Sequence, residues 1–260
     1  MCMNARDLTS VEKRGTHYYK REDEFVINGV CGGKARVADA LVRDVMTAGV
    51  KDFVTCGSRD SRQCEVVARI CERHGVRSHL FMPSGKDTDI IESISKTDGA
   101  TLHRTKVGYT SVLQAHSKRF AEENGFAYIP FGMETERAIE VNMHQVANIP
   151  SDVKRIVVPC GGGMNMISVI RGLEAYGRHD VRVTGVVVGK KPDAVFDRFL
   201  GRSLFGATDV KWDFVEYPSS YGVHAKVTES DGLRLDEVYE AKCIPFLEDG
   251  DLLWIVGKKL

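Results

Sequence analysis

The sequence predicts an α/β protein in which helices alternate with the strands of parallel sheets. Two observations support this class. From residue 38 onward, apolar segments of strand length alternate with segments of helical length, and those strands are continuously apolar. Strands without polar alternation are typical of a parallel sheet that helices cover on both faces. We therefore expect several βαβ units.

The alternation predicts the elements in order along the chain. In the first half we expect helices at 38–48, 61–74, 89–95 and 111–124, with strands at 52–56, 77–82, 101–106 and 127–131. In the second half we expect helices at 134–147 and 164–176, with strands at 155–158, 181–188, 212–217 and 252–256. The run at 181–188 is the most strongly β-branched, which favours a strand. Residues 218–231 are polar and rich in turn formers, so they predict a surface loop.

Composition limits the class of protein. The chain has 260 residues, 43% of them hydrophobic, which suffices for one large domain or two small ones. Lys plus Arg equals Asp plus Glu at 36 each, so net charge favours neither nucleic acid nor a membrane surface. No segment approaches the roughly 20 apolar residues of a membrane span, and residues 1–14 lack the apolar core of a secretory signal. Seven cysteines without metal-ligand spacing indicate reduced thiols in a cytoplasm.

A glycine turn follows the strand at 155–158. Gly161, Gly162 and Gly163 open the helix that begins with Met164 and Asn165. Backbone N–H groups at a helix start have no intrahelical acceptor and lie at the positive end of the helix dipole. Glycines let a phosphate approach that backbone closely. The alternative is a tight turn that binds nothing, because the spacing matches neither a P-loop nor a dinucleotide fingerprint.

Lys34 follows two glycines and precedes an apolar helical stretch. An amine at a helix start has a lowered pKa, which favours its reactive neutral form. An amine in one glycine turn and an anion cradle in another together predict a phosphate-bearing carbonyl cofactor held as a Schiff base, which is pyridoxal 5′-phosphate. The alternative for Lys34 alone is an ordinary solvated lysine.

Two further segments carry candidate groups. Residues 55–63 run from a strand end into a helix, where Ser61 is either a plain helix cap or a group that receives a substrate carboxylate. Residues 235–242 contain Tyr239 and Glu240, and Tyr221 precedes them. A tyrosine near a cofactor relays protons, and a carboxylate protonates a pyridine nitrogen. The alternative is a half-buried Tyr239 and a solvated Glu240.

Taken in order, these segments resemble the fold-type II pyridoxal-phosphate enzymes, most closely the branch of 1-aminocyclopropane-1-carboxylate deaminase and D-cysteine desulfhydrase. The similar motifs are Lys20-Arg21-Glu22-Asp23, Gly33-Lys34, Gly57–Gln63, Ile129-Pro130-Phe131-Gly132, Cys160–Asn165 and Asp236–Lys242. The similarity covers residues 17–257, which is nearly the whole chain.

The resemblance implies two open, twisted, parallel-sheet αβα domains of the tryptophan synthase β type. A larger cofactor-binding domain would comprise 1–37 plus 150–260, and a smaller inserted domain 38–149. The implied catalytic residues are Lys34, Ser61, Tyr239 and Tyr221. The implied cofactor ligands are Lys34, Arg62, Gly161, Gly162, Gly163, Met164, Asn165 and Glu240, and the implied substrate ligands are Arg59, Ser61 and Gln63. The resemblance also implies a homodimer and a small amino-acid substrate.

The sequence departs from the family at the loop that receives the substrate. Arg62 replaces an asparagine that in the family contacts the cofactor's phenolic oxygen, and Arg59 and Asp60 add charge. The chain is also shorter than typical members, mainly between Tyr221 and Asp236. The cofactor prediction is unaffected by these changes, but the usual substrates are less certain.

Three functions remain open at this point. The first is a lyase or deaminase that acts on a free small amino acid. The alternative is an enzyme that modifies an amino acid attached to a nucleotide base, as in viral nucleic-acid hypermodification. Arginine pairs with phosphate through two hydrogen bonds, so Arg59 and Arg62 favour this alternative. A third is a cofactor-binding protein that has lost catalysis, which the presence of Lys34, Ser61, Tyr239 and Glu240 argues against.

Overall fold

A computed structural model describes residues 8–59, 61–106, 108–201, 208–220 and 222–257. The chain forms two compact units, each with its own sheet. Unit 1 consists of Met1–Phe25, Cys31–Gly33 and Glu136–Leu260, and unit 2 consists of Val26–Val30 and Lys34–Thr135. Residues 136–149, which we predict in the smaller domain, thus belong to unit 1, and Lys34 belongs to unit 2.

Unit 1 contains a six-stranded sheet, with strands and helices numbered here in chain order. Side by side, the strands are β1 (Val11–Arg14), β2 (His17–Arg21), β14 (Leu252–Ile255), β9 (Arg155–Cys160), β10 (Arg182–Val187) and β11 (Trp212–Glu216). All neighbours are parallel except β1, which pairs antiparallel with β2 at one edge. Charged residues interrupt the apolar character of β1 and β2, so no local pattern predicts these two strands.

The helices of unit 1 lie against this sheet. They are α5 (Glu136–Met143), α6 (Met164–Ala175) and α7 (Asp193–Phe196), with 3-10 turns at His144–Asn148 and Glu240–Phe246 and a π turn at Asp197–Gly201. The predicted helix 134–147 is therefore divided into α5 and a 3-10 turn. A Cβ at Gly172 of α6 would lie 2.2 Å from the Met143 carbonyl oxygen. This close approach explains why α5 belongs to unit 1.

Unit 2 contains a four-stranded sheet whose strands are all parallel. Side by side they are β7 (Ala100–Thr105), β6 (Arg77–Pro83), β5 (Asp52–Cys56) and β8 (Ala127–Tyr128). Its helices are α1 (Gly33–Met46), α2 (Gln63–Arg73), α3 (Asp89–Ser95) and α4 (Thr110–Asn124). Since the strands are parallel, the loops that follow β5, β6, β7 and β8 all leave the same edge. We call it the carboxyl edge of unit 2.

Short hairpins complete the fold. One joins β3 (Val26–Ile27) to β4 (Val30–Cys31), and the other joins β12 (Glu229–Ser230) to β13 (Leu233–Arg234). The second hairpin begins inside the segment 218–231 that we predict as loop. The turn of the first is Asn28-Gly29, with φ of 47° and 77°, which is the backbone conformation that a two-residue hairpin requires.

The structure confirms the α/β class with parallel sheets. The start of α1 differs most from the prediction, since this helix begins at Gly33 and not at Ala38. As a result Lys34 lies in the first turn of a helix. The described cysteines are all free thiols. Among the helices that the structure describes, none combines the length and apolar character needed to cross a membrane.

Candidate active site

The glycine turn of unit 1 joins β9 to α6. Gly163 caps the helix with φ of 89°, and a Cβ there would lie 2.8 Å from Phe196 Cε2, so only glycine fits. A Cβ at Gly162 would meet no atom within 4 Å, so open space lies beside that backbone. Met164 is buried as the first residue of α6. The turn thus offers helix-start N–H groups beside free space, which suits a phosphate.

Tyr239 lies against this turn. A Cβ at Gly161 would come within 3.3 Å of Tyr239 Cε1, so the ring packs on the glycine backbone. Asp236 Oδ1 holds the segment by accepting hydrogen bonds from the N–H groups of Val238 at 2.8 Å and Tyr239 at 3.0 Å. This role of Asp236 is not among the predictions from sequence, although an aspartate that bonds the backbone N–H two residues on is a known local motif.

Glu240 is fully buried, contrary to the alternative of a solvated helix charge. Its Oε1 accepts a hydrogen bond from the Val256 N–H at 2.7 Å, while Oε2 has no partner among the described residues. Burial, with a smaller contribution from the negative charge of Asp236, raises the pKa of this carboxyl to about 8. A buried oxygen without a partner is rare in native proteins. Oε2 is therefore suited to a hydrogen bond from a protonated ring nitrogen.

Two amides converge on the residue before the lysine. A Cβ at Gly33 would lie 3.2 Å from both Asn142 Nδ2 and Asn165 Oδ1. Asn142 comes from α5 and is buried, and Asn165 comes from the first turn of α6. The space that a side chain at position 33 would need is thus filled by two amides. Nothing in the sequence pattern points to Asn142.

Lys34 lies in unit 2, in the first turn of α1. Burial lowers the pKa of its amine below the usual 10.5, and the nearby Cys64 thiol group opposes the shift. The helix dipole acts in the same direction as burial. Cys64 belongs to the first turn of α2, directly after the loop at 57–62. The structure therefore places an amine with reactive character beside the start of α2.

The loop at 57–62 carries the predicted substrate contacts. Ser61 is half-buried, and its Oγ accepts a long hydrogen bond of 3.4 Å from the Gln63 N–H. Arg62 pairs with Glu65 at 2.5 Å and with Asp89 at 3.2 Å, so its guanidinium is held within unit 2. Arg59 is exposed. Among the described residues of this loop, Ser61 and Arg59 thus remain available to a ligand.

Gln63 has an internal role. Its Nε2 donates to Thr55 Oγ1 at 2.9 Å and to the Pro130 carbonyl at 2.8 Å, and its Oε1 accepts from the Gly132 N–H at 2.8 Å. The side chain is buried and ties the start of α2 to β5, through Thr55, and to the turn at 130–132, through Pro130 and Gly132. It positions that turn and is not available for the predicted contact with a substrate. Tyr221 and Asp60 lie outside the described residues.

Comparison with known proteins identifies the family and the fold. The family model described as "Pyridoxal-phosphate dependent enzyme" matches residues 7–210. The crystal structure of an ACC deaminase homologue superimposes with a TM-score of 0.77 and 21% identity, over 93% of this chain and 84% of that chain. The processed form of threonine deaminase isoform 2 from Solanum lycopersicum superimposes with a TM-score of 0.66 and 17% identity, over 94% of this chain and 79% of that chain. These similarities establish the fold-type II architecture.

A curated relative is the O-seryl-dTMP PLP-dependent decarboxylase of Salmonella phage ViI. It is 21% identical over 190 residues, which cover 64% of this chain and 45% of that protein. The chain thus spans less than half of that relative's length. The family match is broader, since it extends from residue 7 to residue 210 and so covers most of the chain. This chain therefore belongs to the family of pyridoxal-phosphate-dependent enzymes, and its cofactor is pyridoxal 5′-phosphate.

Proposed function

We propose that the protein is an enzyme of the lyase or deaminase type, which breaks bonds at the α and β carbons of an amino-acid substrate. The observation that carries this proposal is the buried carboxyl of Glu240, whose Oε2 has no partner among the described residues. Once ionised by the positive ring N–H, this carboxylate would accept a hydrogen bond from the ring nitrogen of the cofactor and favour its protonated form. A serine or threonine would leave the ring less electron-withdrawing.

Each candidate group would hold the cofactor through its own chemistry. Gly161, Gly162 and Gly163 would hold the phosphate through backbone N–H groups, together with Met164 and Asn165 at the start of α6. Glu240 would hold the ring nitrogen. Lys34 would hold the carbonyl carbon as a Schiff base. When bound, the cofactor supplies an electron sink for the pair of electrons left at the substrate's α carbon.

The remaining groups of the chain handle the substrate. Lys34, released by the substrate amine, would move a proton at the α or β carbon, and its lowered pKa provides the neutral amine for that step. Ser61 would receive the substrate carboxylate. Tyr239, packed on Gly161, would relay a proton. We retain Tyr221 as a further proton relay on the basis of the family resemblance.

A second candidate function is the modification of an amino acid attached to a nucleotide base. One observation favours it: the curated relative is named for a seryl group carried on dTMP. The exposed Arg59 is consistent with a substrate that brings a phosphate. This candidate uses the same cofactor ligands and the same lysine, and differs only in what the amino acid is attached to.

Product analysis tests the proposed function. The holoenzyme is incubated with D-cysteine, serine, aminocyclopropane carboxylate and a base-linked serine, and ammonia, keto acid and carbon dioxide are measured. We expect product from at least one substrate and none with Lys34→Ala. Glu240→Gln should slow turnover roughly 10- to 100-fold, the factor that a lost charge-assisted hydrogen bond represents. Turnover that survives Lys34→Ala would exclude the proposal.

The predicted homodimer remains to be measured. We propose that the protein is a dimer, as the resemblance implies. Light scattering on the holoenzyme gives the answer directly, and a monomer at micromolar concentration would contradict the prediction.

A further inference from the structure

Two arginines at the carboxyl edge of unit 2, Arg59 and Arg104, contact the same glycine, Gly85. A Cβ at Gly85 would lie 2.0 Å from Arg59 Nη1 and 2.9 Å from its Cζ, so the Arg59 guanidinium rests on the Gly85 backbone. Arg104, at the end of β7, donates from Nη1 to the Gly85 carbonyl at 3.2 Å. The two guanidinium groups therefore flank Gly85, although they come from the ends of different strands.

The charges of these arginines are compensated to different degrees. Arg104 pairs through Nη2 with Asp87, which is itself 70% exposed. Arg62 pairs with Glu65 and Asp89. Within the described part of the chain, Arg59 has no carboxylate at ion-pair distance. Arg59 thus provides a positive charge for a ligand, and Arg104 can exchange its exposed partner for an anion.

An exposed aromatic residue lies at the same edge. Tyr109 precedes α4 and is 84% exposed, and Val112, one turn later, is 63% exposed. Lys106, in the same loop, is exposed as well. Exposed aromatic and basic side chains on the loops of one sheet edge suit a nucleotide, because the ring can stack on a base while the cations take the phosphate.

We propose that Arg59, Arg104 and Tyr109 form a nucleotide subsite on the carboxyl edge of unit 2. The inference rests on the proposed function and specifies its substrate class: an amino acid carried on a nucleotide. Arg59 takes the phosphate with Arg104 beside it, and Tyr109 stacks on a base. Lys34 belongs to the same unit, and the nearby Cys64 lies in the first turn of α2, the helix that follows the Arg59 loop. Arg62 has no part in the subsite.

Binding of a labelled oligothymidylate to the holoenzyme tests this subsite by fluorescence anisotropy. We expect Arg59→Ala to weaken binding roughly 10-fold or more and to reduce the slope of log K against log salt by about 1. Tyr109→Ala should weaken binding roughly 5- to 100-fold, as for the loss of a stacked base. Competition with dTMP separates the two sources of the ligand: if dTMP competes well, the site takes a mononucleotide, and if it does not, the site takes a strand.

Two further variants test whether binding depends on the position of the Arg59 guanidinium or only on positive charge at the surface. Gly85→Ala should displace Arg59 without changing any charge, and we expect it to weaken binding as Arg59→Ala does. Lys118→Ala is the matched control, because Lys118 is exposed on α4 and pairs with Glu122. It should bind the oligonucleotide as the wild type does. The cofactor absorbance of each variant shows that it folds and binds pyridoxal 5′-phosphate.

The outcomes are distinct. Wild-type affinity in both Arg59→Ala and Tyr109→Ala overturns the subsite, and so does equal weakening in Lys118→Ala. A change of oligomeric state in Tyr109→Ala, with oligonucleotide binding unchanged, assigns the surface to a second copy of this chain and also overturns it. If free amino acids are converted while no nucleotide binds, the subsite fails and the proposed function stands. If no amino acid in any form is converted, the proposed function fails.

Discussion

Replacement of Glu240 by glutamine tests the central feature of the site. The folded protein raises the pKa of this carboxyl from 4.5 to about 8, because the group is buried. Between pH 4.5 and about pH 8, Glu240 holds a proton in the native state that it has lost in the unfolded chain. Stability from this group is therefore greatest at low pH and falls as pH rises from 4.5 to 8. Each pH unit in this range changes the free energy of unfolding by up to about 1.4 kcal/mol.

The expected magnitude follows from that slope. Between roughly pH 5.5 and 8.5, Glu240 alone should cost the apoprotein about 3 kcal/mol of stability. Glu240→Gln has no titrating group there, so its stability relative to the wild type should rise by that amount across the interval. Urea unfolding of both apoproteins at the two pH values measures the difference.

Two comparisons sharpen this experiment. Glu216→Gln, at an exposed position at the end of β11, is the matched control and should behave as the wild type does. Saturating pyridoxal 5′-phosphate should raise the stability of the wild type more than that of Glu240→Gln. The glutamate can form an ion pair with a positively charged ring N–H, and the glutamine cannot. An equal pH dependence in the wild type and Glu240→Gln would refute the reasoning, since Glu240 would then be ionised and solvated.

Three further predictions follow from the glycines and the lysine. Gly163→Ala should lower the urea midpoint, because its φ is 89° and its Cβ would strike Phe196, whereas Gly162→Ala should keep the apoprotein midpoint and weaken cofactor binding, measured by titration. Gly33→Asn should lower cofactor affinity, because its side chain would need the space that Asn142 occupies, and adding Asn142→Ala should recover part of that affinity. If the double variant loses as much binding free energy as the two single variants added together, the two side chains do not compete for this space. After borohydride treatment, peptide mapping should find the cofactor on Lys34, and Lys34→Ala should carry none.

The sequence predicts the regular elements well where the signal is local. The bounds of β5 and α3 agree with the structure, because a short apolar run and an isolated amphipathic turn each define their own ends. The start of α1 is less predictable, since Gly33 is a poor helix former that is tolerated only in a first turn. Tyr18, Tyr19 and Lys20 of β2 are buried, and β2 pairs on one side with β14 from the far end of the chain, which no local pattern reveals.

The candidate site likewise contains residues that the local sequence predicts and features that depend on residues far away in the chain. The glycines at 161–163 and the lysine can be found from the sequence, because their chemistry depends on a turn and a helix start, both local. The burial of Glu240 depends on Val256 and on a sheet assembled from distant strands, so its raised pKa cannot be predicted from its neighbours. The partners of Arg62 include Asp89, 27 residues away, and this pairing removes a guanidinium that the sequence offers to a ligand.

The group proposed for cofactor chemistry is buried, whereas the groups proposed for substrate recognition are exposed. Glu240 is buried and accepts a hydrogen bond from the Val256 N–H, so we expect any substitution there to change both the hydrogen bond offered to the ring nitrogen and the stability of unit 1. Arg59 and Tyr109 are exposed and hold no core residue in place. Changes at such positions cost little stability, usually within about 0.5 kcal/mol. The loops on the carboxyl edge can therefore acquire a new substrate while the buried groups keep the cofactor chemistry. This is why the arginines of this edge, and not Glu240, are the place to test what the enzyme acts on.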